Sequence, residues 1–545
     1  MRRWLTKKQW FAIHGWLGVI LGLPLFIICF SGACAVMSPE IDRMIHPELR
    51  ISPPADPSAQ PLPWGVLLEK VEAASPGGEV FLIDASERRD TAWVASVTYS
   101  SRDQRMVLLD PFTGEIRGQR THFNAQSLFR IFHKQFYIVG GKFWPHGRLI
   151  VCSFSIVLLF AAISGLLFYK GWWKSLLRLR VGKGSRIFLS DLHRFLGVWT
   201  FLLAMLFAVT GFWYLLERVM EDLGIAEHDP VVLVSDEVRA SRPAVMERLS
   251  LDELAARARA AYPGFEIHTV LPGNRPGSVV TFMGEGPALL ADGQANQVCL
   301  DPHTGEVIQL KKAHELKLAS RLESLVNPLH FGRFGGLLTK IIWAGAGFAL
   351  AVGILAGAAI RWQRMSRDQD GLSRSQRRWA RVSLVLNLTI LGLATVSTVA
   401  FIRAQVTGPK TSLPRDMIGE STAGPWRVAA SRDAQGGVHF RFTSPGDLNF
   451  RAAFAWAGGA ARPAGLQPLQ ASRRELVGKA AAEGPLRLEI EAWDGTLSAA
   501  VFSGEAGGVL APPPSPEVPT ALWLLAGGFF SLLILASVAW MVRIR

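Results

Sequence analysis

Long apolar stretches alternate along the chain with polar segments that carry strand and turn signals. Six of the apolar stretches are long enough to cross a hydrocarbon core of about 30 Å, which takes roughly 20 helical residues. They predict membrane-spanning helices at 15–37, 148–169, 195–216, 337–360, 382–402 and 520–542. The expected fold class is therefore an integral membrane α-helical bundle with large polar domains between some of the spans.

The polar segment after the first span predicts a small α+β domain. Apolar residues recur at helical spacing over Trp64–Ala74. Short alternating runs then predict strands at Val80–Ile83, Trp93–Tyr99 and Met106–Leu109. The stretch Asp110-Pro-Phe-Thr-Gly-Glu has proline and glycine at its corners, so it predicts a hairpin turn and not a catalytic carboxylate site.

The polar segment after the third span repeats this order of elements. A helix is predicted at Leu251–Ala261, and Asp301-Pro-His-Thr-Gly-Glu forms the second turn. The strands of this segment are predicted around Ile267–Val270, Ser278–Phe282 and Gln297–Leu300. Residues 1–170 and 190–360 are therefore expected to be two tandem copies of one unit. Copies that run in the same direction are related by an axis along the membrane normal.

The last polar segment has no counterpart in the two copies. Its pattern predicts a β-rich domain in which nothing indicates catalysis, so we expect a docking or structural role. The predicted strands are Trp426–Ala429, His439–Phe442, Phe450–Trp456, Leu486–Ala492 and Ala499–Phe502.

These patterns divide the chain into nine parts. We expect a first span at 1–37, an α+β domain with a surface helix at 38–147, a second span with a loop at 148–194, a third span at 195–216, a second α+β domain at 217–336, a fourth span with a loop at 337–381, a fifth span at 382–402, the β-rich domain at 403–519 and a sixth span at 520–545.

The net charge of +14 is concentrated in short segments. Lysine and arginine cluster at both ends of the chain and in the loops at 170–194 and 361–381. The positive-inside rule places such segments in the cytoplasm and the three long polar segments outside. We therefore expect an inner-membrane protein with cytoplasmic termini. Membrane lipid is its expected surroundings, and no nucleic-acid partner is expected.

Four histidines occupy equivalent positions in the two copies. His14 begins His14-Gly-Trp-Leu-Gly-Val and matches His193 in His193-Arg-Phe-Leu-Gly-Val, while His133 matches His330. A single histidine at a membrane edge is more often an interfacial anchor than a ligand, but four in symmetric positions favour a functional site. The first two are predicted at the cytoplasmic edge and the other two at the external edge. Two pairs at two depths suit the axial ligands of two six-coordinate haems.

Other residues near these histidines are candidate cofactor contacts. Aromatic side chains are predicted to pack on the porphyrins, and basic side chains are predicted to meet the propionates. The aromatic candidates are Trp16, Trp199, Phe26 and Phe207, and the basic ones are Arg194, Lys134 and Arg333. The remaining histidines are expected on solvated surfaces or loops: His46, His122, His146, His228, His268, His303, His314 and His439.

The cysteines and the missing motifs narrow the chemistry. The four cysteines, Cys29, Cys34, Cys152 and Cys299, form no Cys-x-x-Cys-His sequence, so any haem would be held by its axial ligands and its pocket. The chain has no Gly-x-Gly-x-x-Gly motif that follows a strand and no Walker A motif, so it is not expected to bind a nicotinamide dinucleotide itself. Electrons would then come from a cytoplasmic donor or from quinol.

The motifs around the four histidines resemble those of a known family. His14-x-Trp-Leu-Gly, Asp191-Leu-His-Arg-x-Leu-Gly-Val-Trp and Pro328-Leu-His-Phe-Gly-Arg-Phe-Gly-Gly, together with the Asp-Pro-x-Thr-Gly-Glu turns, are similar to the PepSY-associated transmembrane helix family over roughly residues 8–362. That family includes iron-regulated inner-membrane proteins and di-haem ferric-siderophore reductases. The resemblance implies PepSY-like periplasmic domains and a membrane oxidoreductase with two b haems on His14, His193, His133 and His330. It also implies electron transfer to a ferric siderophore or another ferric chelate, with release of Fe(II).

Three alternatives remain open at this point. A longer, proline-containing turn follows His133, so His146 is an alternative ligand at that site. The chain could instead be a regulatory membrane protein whose PepSY-like domains bind a peptide or peptidase, or a metal transporter. A transporter needs ligands near the bilayer midplane, where these spans are apolar.

Overall fold

In the computed structural model of the chain, the apolar stretches form long helices. The structure describes residues 6–138 apart from 77, 101 and 102, then 147–168, 177–225, 232–365 apart from 244, 274–276 and 289, then 374–406, the strands between 415 and 510, and 516–544. Within these residues, five helices are long and apolar enough to cross a membrane, and one bent helix pair could form a further span. The chain is thus a multi-pass membrane protein.

In the part of the first copy that the structure describes, there are six α-helices and four strands. They are α1 (Lys7–Ile20), α2 (Gly22–Val36), α3 (Ser38–Ile45), α4 (Trp64–Ala74), β1 (Glu79–Asp84), β2 (Trp93–Ser100), β3 (Asp103–Leu109), β4 (Ile116–Thr121), α5 (Ala125–Gln135) and α6 (Gly147–Phe168).

The second copy repeats this order after a basic segment. Its elements are α7 (Ser185–Trp199), α8 (Phe201–Asp222), α9 (Asp236–Ala240), β5 (Val245–Met246), α10 (Leu251–Ala261), β6 (Glu266–Leu271), β7 (Val280–Glu285), β8 (Gln297–Leu300), β9 (Val307–Lys311), α11 (Leu318–Phe331) and α12 (Gly336–Met365).

The first and third predicted spans are broken where the sequence predicts continuous helices. The helix axis bends by 68° between α1 and α2 at Leu21, and α7 ends at Thr200, where α8 begins. The predicted spans at 15–37 and 195–216 were therefore wrong at their starts. Pro24 has no N–H for the carbonyl of the residue four positions earlier, which is a common cause of a kink. His14 and His193 consequently lie on separate helices that precede the long apolar ones.

The two α+β units share one eight-stranded antiparallel sheet, in the order β4-β3-β2-β1-β6-β7-β8-β9. The equivalent strands β1 and β6 pair at its centre, with Ile83 opposite Val270 and Asp84 opposite Thr269. Helices α4 and α10 pack against the sheet in one common core. The two copies are therefore not separate domains, although the helix and strand predictions within each copy are confirmed.

The aspartates of the two Asp-Pro-x-Thr-Gly-Glu stretches organise hairpin turns. The side-chain Oδ1 of Asp110 accepts from the N–H of Phe112 at 2.8 Å, and the Oδ1 of Asp301 accepts from the N–H of His303 at 2.9 Å. These bonds satisfy backbone donors inside the turn, so the prediction of turns is confirmed.

The membrane helices join the two copies at every level. Helix α2 of the first copy packs against α12 of the second, and α6 packs against α8. Within each copy, the short helices lie against equivalent partners: α1 against α6, α7 against α12, α5 against α2 and α11 against α8. Four histidine-bearing helices thus surround a bundle built from both halves of the chain.

The rest of the described chain is a β-rich region between two further helices, α13 (Arg374–Val406) and α14 (Thr520–Ile544). It forms a six-stranded sheet, a four-stranded sheet and a short strand that pairs with β5. Its strands are β10 (Arg415–Ala423), β11 (Trp426–Arg432), β12 (Val438–Thr443), β13 (Asp447–Leu448), β14 (Phe450–Ala457), β15 (Ala464–Gly465), β16 (Gln467–Ala471), β17 (Glu475–Ala480), β18 (Leu486–Ala492), β19 (Leu497–Phe502) and β20 (Val509–Leu510).

Candidate functional site

The four sequence-predicted histidines form two pairs, and each pair takes one residue from each copy. His14 and His193 face each other with ring centroids 6.1 Å apart, and we call them the far-side pair. His133 and His330 face each other at 6.2 Å near the end of the bundle next to the eight-stranded sheet, and we call them the sheet-side pair. The predicted pairing is therefore the pairing that the structure has.

The spacing within each pair suits two axial ligands on one metal ion. An imidazole nitrogen lies about 2.0 Å from a coordinated transition metal and roughly 1.1 Å from the centre of its ring, so rings on opposite sides of the metal have centroids about 6.2 Å apart. Both observed separations match this value. Direct ring stacking would bring the centroids closer, to about 4.5 Å at its lower limit.

Hydrogen bonds at Nδ1 fix the orientation of the far-side rings. The Nδ1–H of His193 donates to the carbonyl of Gly353 at 2.8 Å. His14 Nδ1 lies 2.9 Å from the hydroxyl of Ser164, which itself donates to the carbonyl of Ala161. Because that hydroxyl proton is already used, the oxygen of Ser164 accepts from His14. Each ring therefore carries its proton on Nδ1 and keeps Nε2 as its basic nitrogen.

The sheet-side rings are held in the same manner. His133 Nδ1–H donates to the carbonyl of Ile28 at 3.0 Å. His330 Nδ1 lies 2.7 Å from the hydroxyl of Thr210, which donates to the carbonyl of Leu206. In a metal-ligating histidine, a hydrogen bond from Nδ1–H to a protein oxygen sets the tautomer and raises the basicity of the ring. All four rings are thus prepared to coordinate through Nε2.

Each pair lies in a cavity of cofactor size. The far-side cavity has a volume of about 490 Å³ and the sheet-side cavity about 540 Å³, within the usual range for small-molecule and cofactor pockets. Most of their lining residues are apolar. Leu25, Leu158 and Leu350 line both cavities, so only a thin apolar partition separates them.

Each cavity also has a buried guanidinium N–H that could donate a hydrogen bond to a carboxylate. The Nε atoms of Arg130 in the sheet-side cavity and of Arg364 in the far-side cavity are buried and have no hydrogen-bond partner within the described residues. Burial, together with the nearby Arg333, lowers the pKa of Arg130 to about 10. A bound carboxylate would compensate the buried charge through charge-assisted hydrogen bonds. Haem b carries two such groups, so the residues present fit it.

The predicted basic contacts are only partly placed at the cavities. Lys134 lines the sheet-side cavity and Arg194 lines the far-side cavity. Arg333 does not belong to the sheet-side lining, and its guanidinium lies 5.1 Å from the ring of Phe331. Sequence reasoning missed Arg130 and Arg364, because one arginine among many near a membrane edge carries no distinguishing signal.

Of the four predicted aromatic contacts, only Phe207 lines a cavity. Trp16 lies under the guanidinium of Arg361 at 4.9 Å. Trp199 is 59% exposed, and Phe26 is buried against Phe30. The latter three residues do not line the cavities, because helical spacing alone does not tell which face of a membrane helix meets a neighbour.

Two glycines provide space for histidine rings. A Cβ atom built on Gly32 would lie 2.8 Å from Cε1 of His133, and one built on Gly357 would lie 2.8 Å from Cε1 of His193. Both distances are well below van der Waals contact. Glycine is common in membrane helices, so the sequence alone did not identify these positions.

Asp191, in the middle of the histidine-bearing helix α7, holds the segment that precedes this helix. Its carboxylate accepts hydrogen bonds from the backbone N–H and from Nε of Arg180 at 3.1 and 2.8 Å. The hydrogen bonds from Arg180 hold the pKa of Asp191 at about 2. The acidic residue of the Asp191-Leu-His motif therefore positions α7 and is not a catalytic acid.

The other histidines give a mixed result. His46 and His439 are buried, so the prediction of solvated surfaces was wrong for them. His46 Nδ1 lies 2.9 Å from a carboxylate oxygen of Glu48. His146, the alternative ligand, and His228 lie outside the described residues.

Comparison with known proteins places these features in a family context. The model of a family described as the PepSY-associated TM region matches residues 11–364, a range that contains all four paired histidines and ends before α13. An uncharacterised protein of Pseudomonas aeruginosa is 37% identical over 65 residues, which cover 12% of this chain and 16% of that protein.

Proposed function

The chain belongs to the PepSY-associated transmembrane family, and from this premise we propose that it is an inner-membrane di-haem b-type cytochrome. In this proposal it is an oxidoreductase that delivers electrons to the periplasm and reduces a ferric siderophore or another ferric chelate. The observation that carries the proposal is the geometry of the two histidine pairs, which have metal-ligand spacing and Nδ1 atoms held by second-sphere acceptors.

Haem b, when bound by these pairs, would supply iron that accepts and donates single electrons. The residues of the chain do the rest. The two histidine pairs would hold one haem each, in cavities that share the lining residues Leu25, Leu158 and Leu350. Arg130 and Arg364 would bind carboxylates and neutralise their charge. The residues that the two cavities share are apolar.

The proposed reaction balances with one electron per iron. A quinol gives up two electrons and two protons and so reduces two Fe(III) ions, whereas a one-electron cytoplasmic donor reduces one, and each Fe(III) in the chelate becomes Fe(II). The hard oxygen donors of a siderophore prefer the smaller, more highly charged ferric ion, so reduction weakens the complex and iron is released.

The decisive experiment uses purified, chemically reduced protein under anaerobic conditions. We expect that adding a ferric siderophore restores the oxidised absorption spectrum and produces Fe(II) that a ferrous chelator traps. Protein whose haems stay reduced with several ferric chelates but become oxidised with another acceptor would refute the iron proposal and leave the cytochrome proposal standing. Protein purified without haem would refute both.

The alternatives make different predictions. A metal transporter needs polar ligands along its path, whereas the residues shared by the two cavities are leucines. A regulatory protein that binds a peptide through its periplasmic domains would be colourless after purification. The absorption spectrum and the haem-to-protein ratio distinguish this alternative from the cytochrome.

The topology of the proposal is testable by itself. Because basic residues concentrate at 170–194 and 361–381, reporters fused there are expected to behave as cytoplasmic. Reporters near residues 100, 280 and 460 are expected to behave as periplasmic. A periplasmic signal from the loop at 170–194 would contradict the proposed direction of electron transfer.

The space beside His193 gives a sharper test of the far-side pair. Gly357→Ala is expected to displace the His193 ring, because the new methyl group would lie 2.8 Å from Cε1. We expect the haem-to-protein ratio to fall towards half. Gly345→Ala in the same helix is the matched control, since a Cβ built there has no neighbour within 4 Å. Equal haem content in the two variants would show that His193 does not need its present position.

A further inference from the structure

The break between α1 and α2 interrupts the helical hydrogen bonding around the carbonyls of Val19 and Ile20. Leu21 N–H still donates to Leu17 at 2.8 Å, and Leu25 N–H donates to Leu21 at 3.2 Å. The carbonyls of Gly18, Val19 and Ile20 lie between these two bonds. Pro24 has no N–H to offer Ile20, so a donor must come from elsewhere if that buried carbonyl is to be satisfied.

Helix α13, which lies beyond the family match, supplies the donors. The hydroxyl of Ser383 lies 3.3 Å from the carbonyl of Val19 and 3.2 Å from that of Ile20. Nδ2 of Asn387 donates to the carbonyl of Ile20 at 3.2 Å. Both side chains are buried, at 0% and 3% exposure. Polar side chains one helical turn apart therefore bind the carbonyls that the kink exposes.

Helix α14 packs on the same break. Trp540 is 1% exposed, and a Cβ atom built on Gly22 would lie 2.8 Å from its ring. The ring of Trp540 meets that of Trp362 of α12 at 4.6 Å in an edge-to-face contact. The two helices outside the family match thus converge on residues 19–22.

This support serves one copy only. The position equivalent to Pro24 is Leu203, which retains its N–H, and Ala204 N–H donates to Thr200 at 2.7 Å across the second break. That bond is equivalent to the one from Leu25 to Leu21 in the first copy, so the two breaks differ in the N–H that Pro24 lacks and not in this bond. The side of the bundle that carries α1 is the one that α13 contacts.

We propose that Ser383 and Asn387 are positioning residues for the far-side histidine pair. By binding the carbonyls of Val19 and Ile20, they fix the angle between α1 and α2 and so the direction from which His14 approaches His193. The inference rests on the proposed haem binding for its spectroscopic test. It gives α13 a role at the proposed electron-transfer site, in addition to connecting the bundle to the β-rich region.

The test compares Asn387→Leu and Ser383→Ala with Ser537→Ala. Ser537 is a matched control because it is also fully buried, in α14, but among the described residues its hydroxyl bonds only to the carbonyl of Leu533 in its own helix. In the two α13 variants we expect the electron paramagnetic resonance signal and the midpoint potential of the far-side haem to change. The sheet-side haem should keep both, and so serves as an internal reference for correct folding.

A second measurement does not depend on haem. Amide hydrogen exchange in the full-length protein is expected to become faster in the segment around residues 17–23 of Asn387→Leu, and to stay unchanged in Ser537→Ala. Unchanged exchange and unchanged far-side signals in both α13 variants would overturn the inference. Loss of both haems together would also overturn it, because that result shows a general folding role. The unaltered protein could lack haem while Asn387→Leu still exchanges faster than Ser537→Ala. That result would refute the proposed function and retain the structural part of the inference.

Discussion

Purified His330→Ala is expected to contain one haem per chain, where the proposed function expects two in the unaltered protein. The reason is geometric, because His330 supplies one of the two rings of the sheet-side pair. The centroid of its ring lies 6.2 Å from that of His133. The pyridine haemochrome assay with a protein determination measures the ratio. His133→Ala should give the same ratio, and the double variant should lose no further haem.

The control for this experiment is His314→Ala, since the His314 side chain is 47% exposed and belongs to neither pair. Retention of two haems in His330→Ala would show that the sheet-side assignment is wrong. Retention in His133→Ala but loss in His330→Ala would instead identify another partner for His330, with His146 the first residue to substitute.

The largest functional loss is expected when the far-side pair is disrupted. His193→Ala should abolish electron delivery across the membrane of vesicles, because the electron would lose its first position on the donor side of the apolar partition. The same variant should still exchange electrons with reagents added on the sheet side, since His133 and His330 are intact. Reduction of an external ferric chelate by a donor enclosed in the vesicles measures the first property.

Direct chemical reduction of the remaining haem measures the second property. A His193→Ala variant that delivers electrons at the normal rate would show that the far-side pair lies off the electron path. Vesicles that contain His314→Ala provide the reference rate.

The histidine pairs were predictable because the sequence repeat indicates which residues lie at the same depth in the bundle. Two copies in register put equivalent residues at equivalent depths, so matching His14 with His193 was enough to propose a pair. The repeat also relates two hydroxyl residues that lie next to the histidine rings. Ser31 follows His14 by 17 residues and Thr210 follows His193 by 17, and these two hydroxyl residues lie beside the sheet-side rings.

Other features depended on tertiary contacts that no local pattern records. The hydropathy of 15–37 continues through Leu21, so the break in the first span has no signal except Pro24. The sharing of one sheet by both copies follows from the pairing of β1 with β6, and each strand alone has the same alternation whether its edge is covered or open. The cavities likewise require the packed helices, and so do the roles of Arg130 and Arg364.

The origin of each pair in both halves of the chain constrains biosynthesis. When the ribosome has made only the first half, His14 and His133 have no partners, and β1 presents an open strand edge, which is a site for mispairing. Once β6 has folded it covers the edge of β1, and α7 and α11 bring the partner histidines His193 and His330. If the pairs bind haem as proposed, loading has to wait for translation of the second half, so a prematurely terminated chain would hold no haem between two histidines and would be left for quality control.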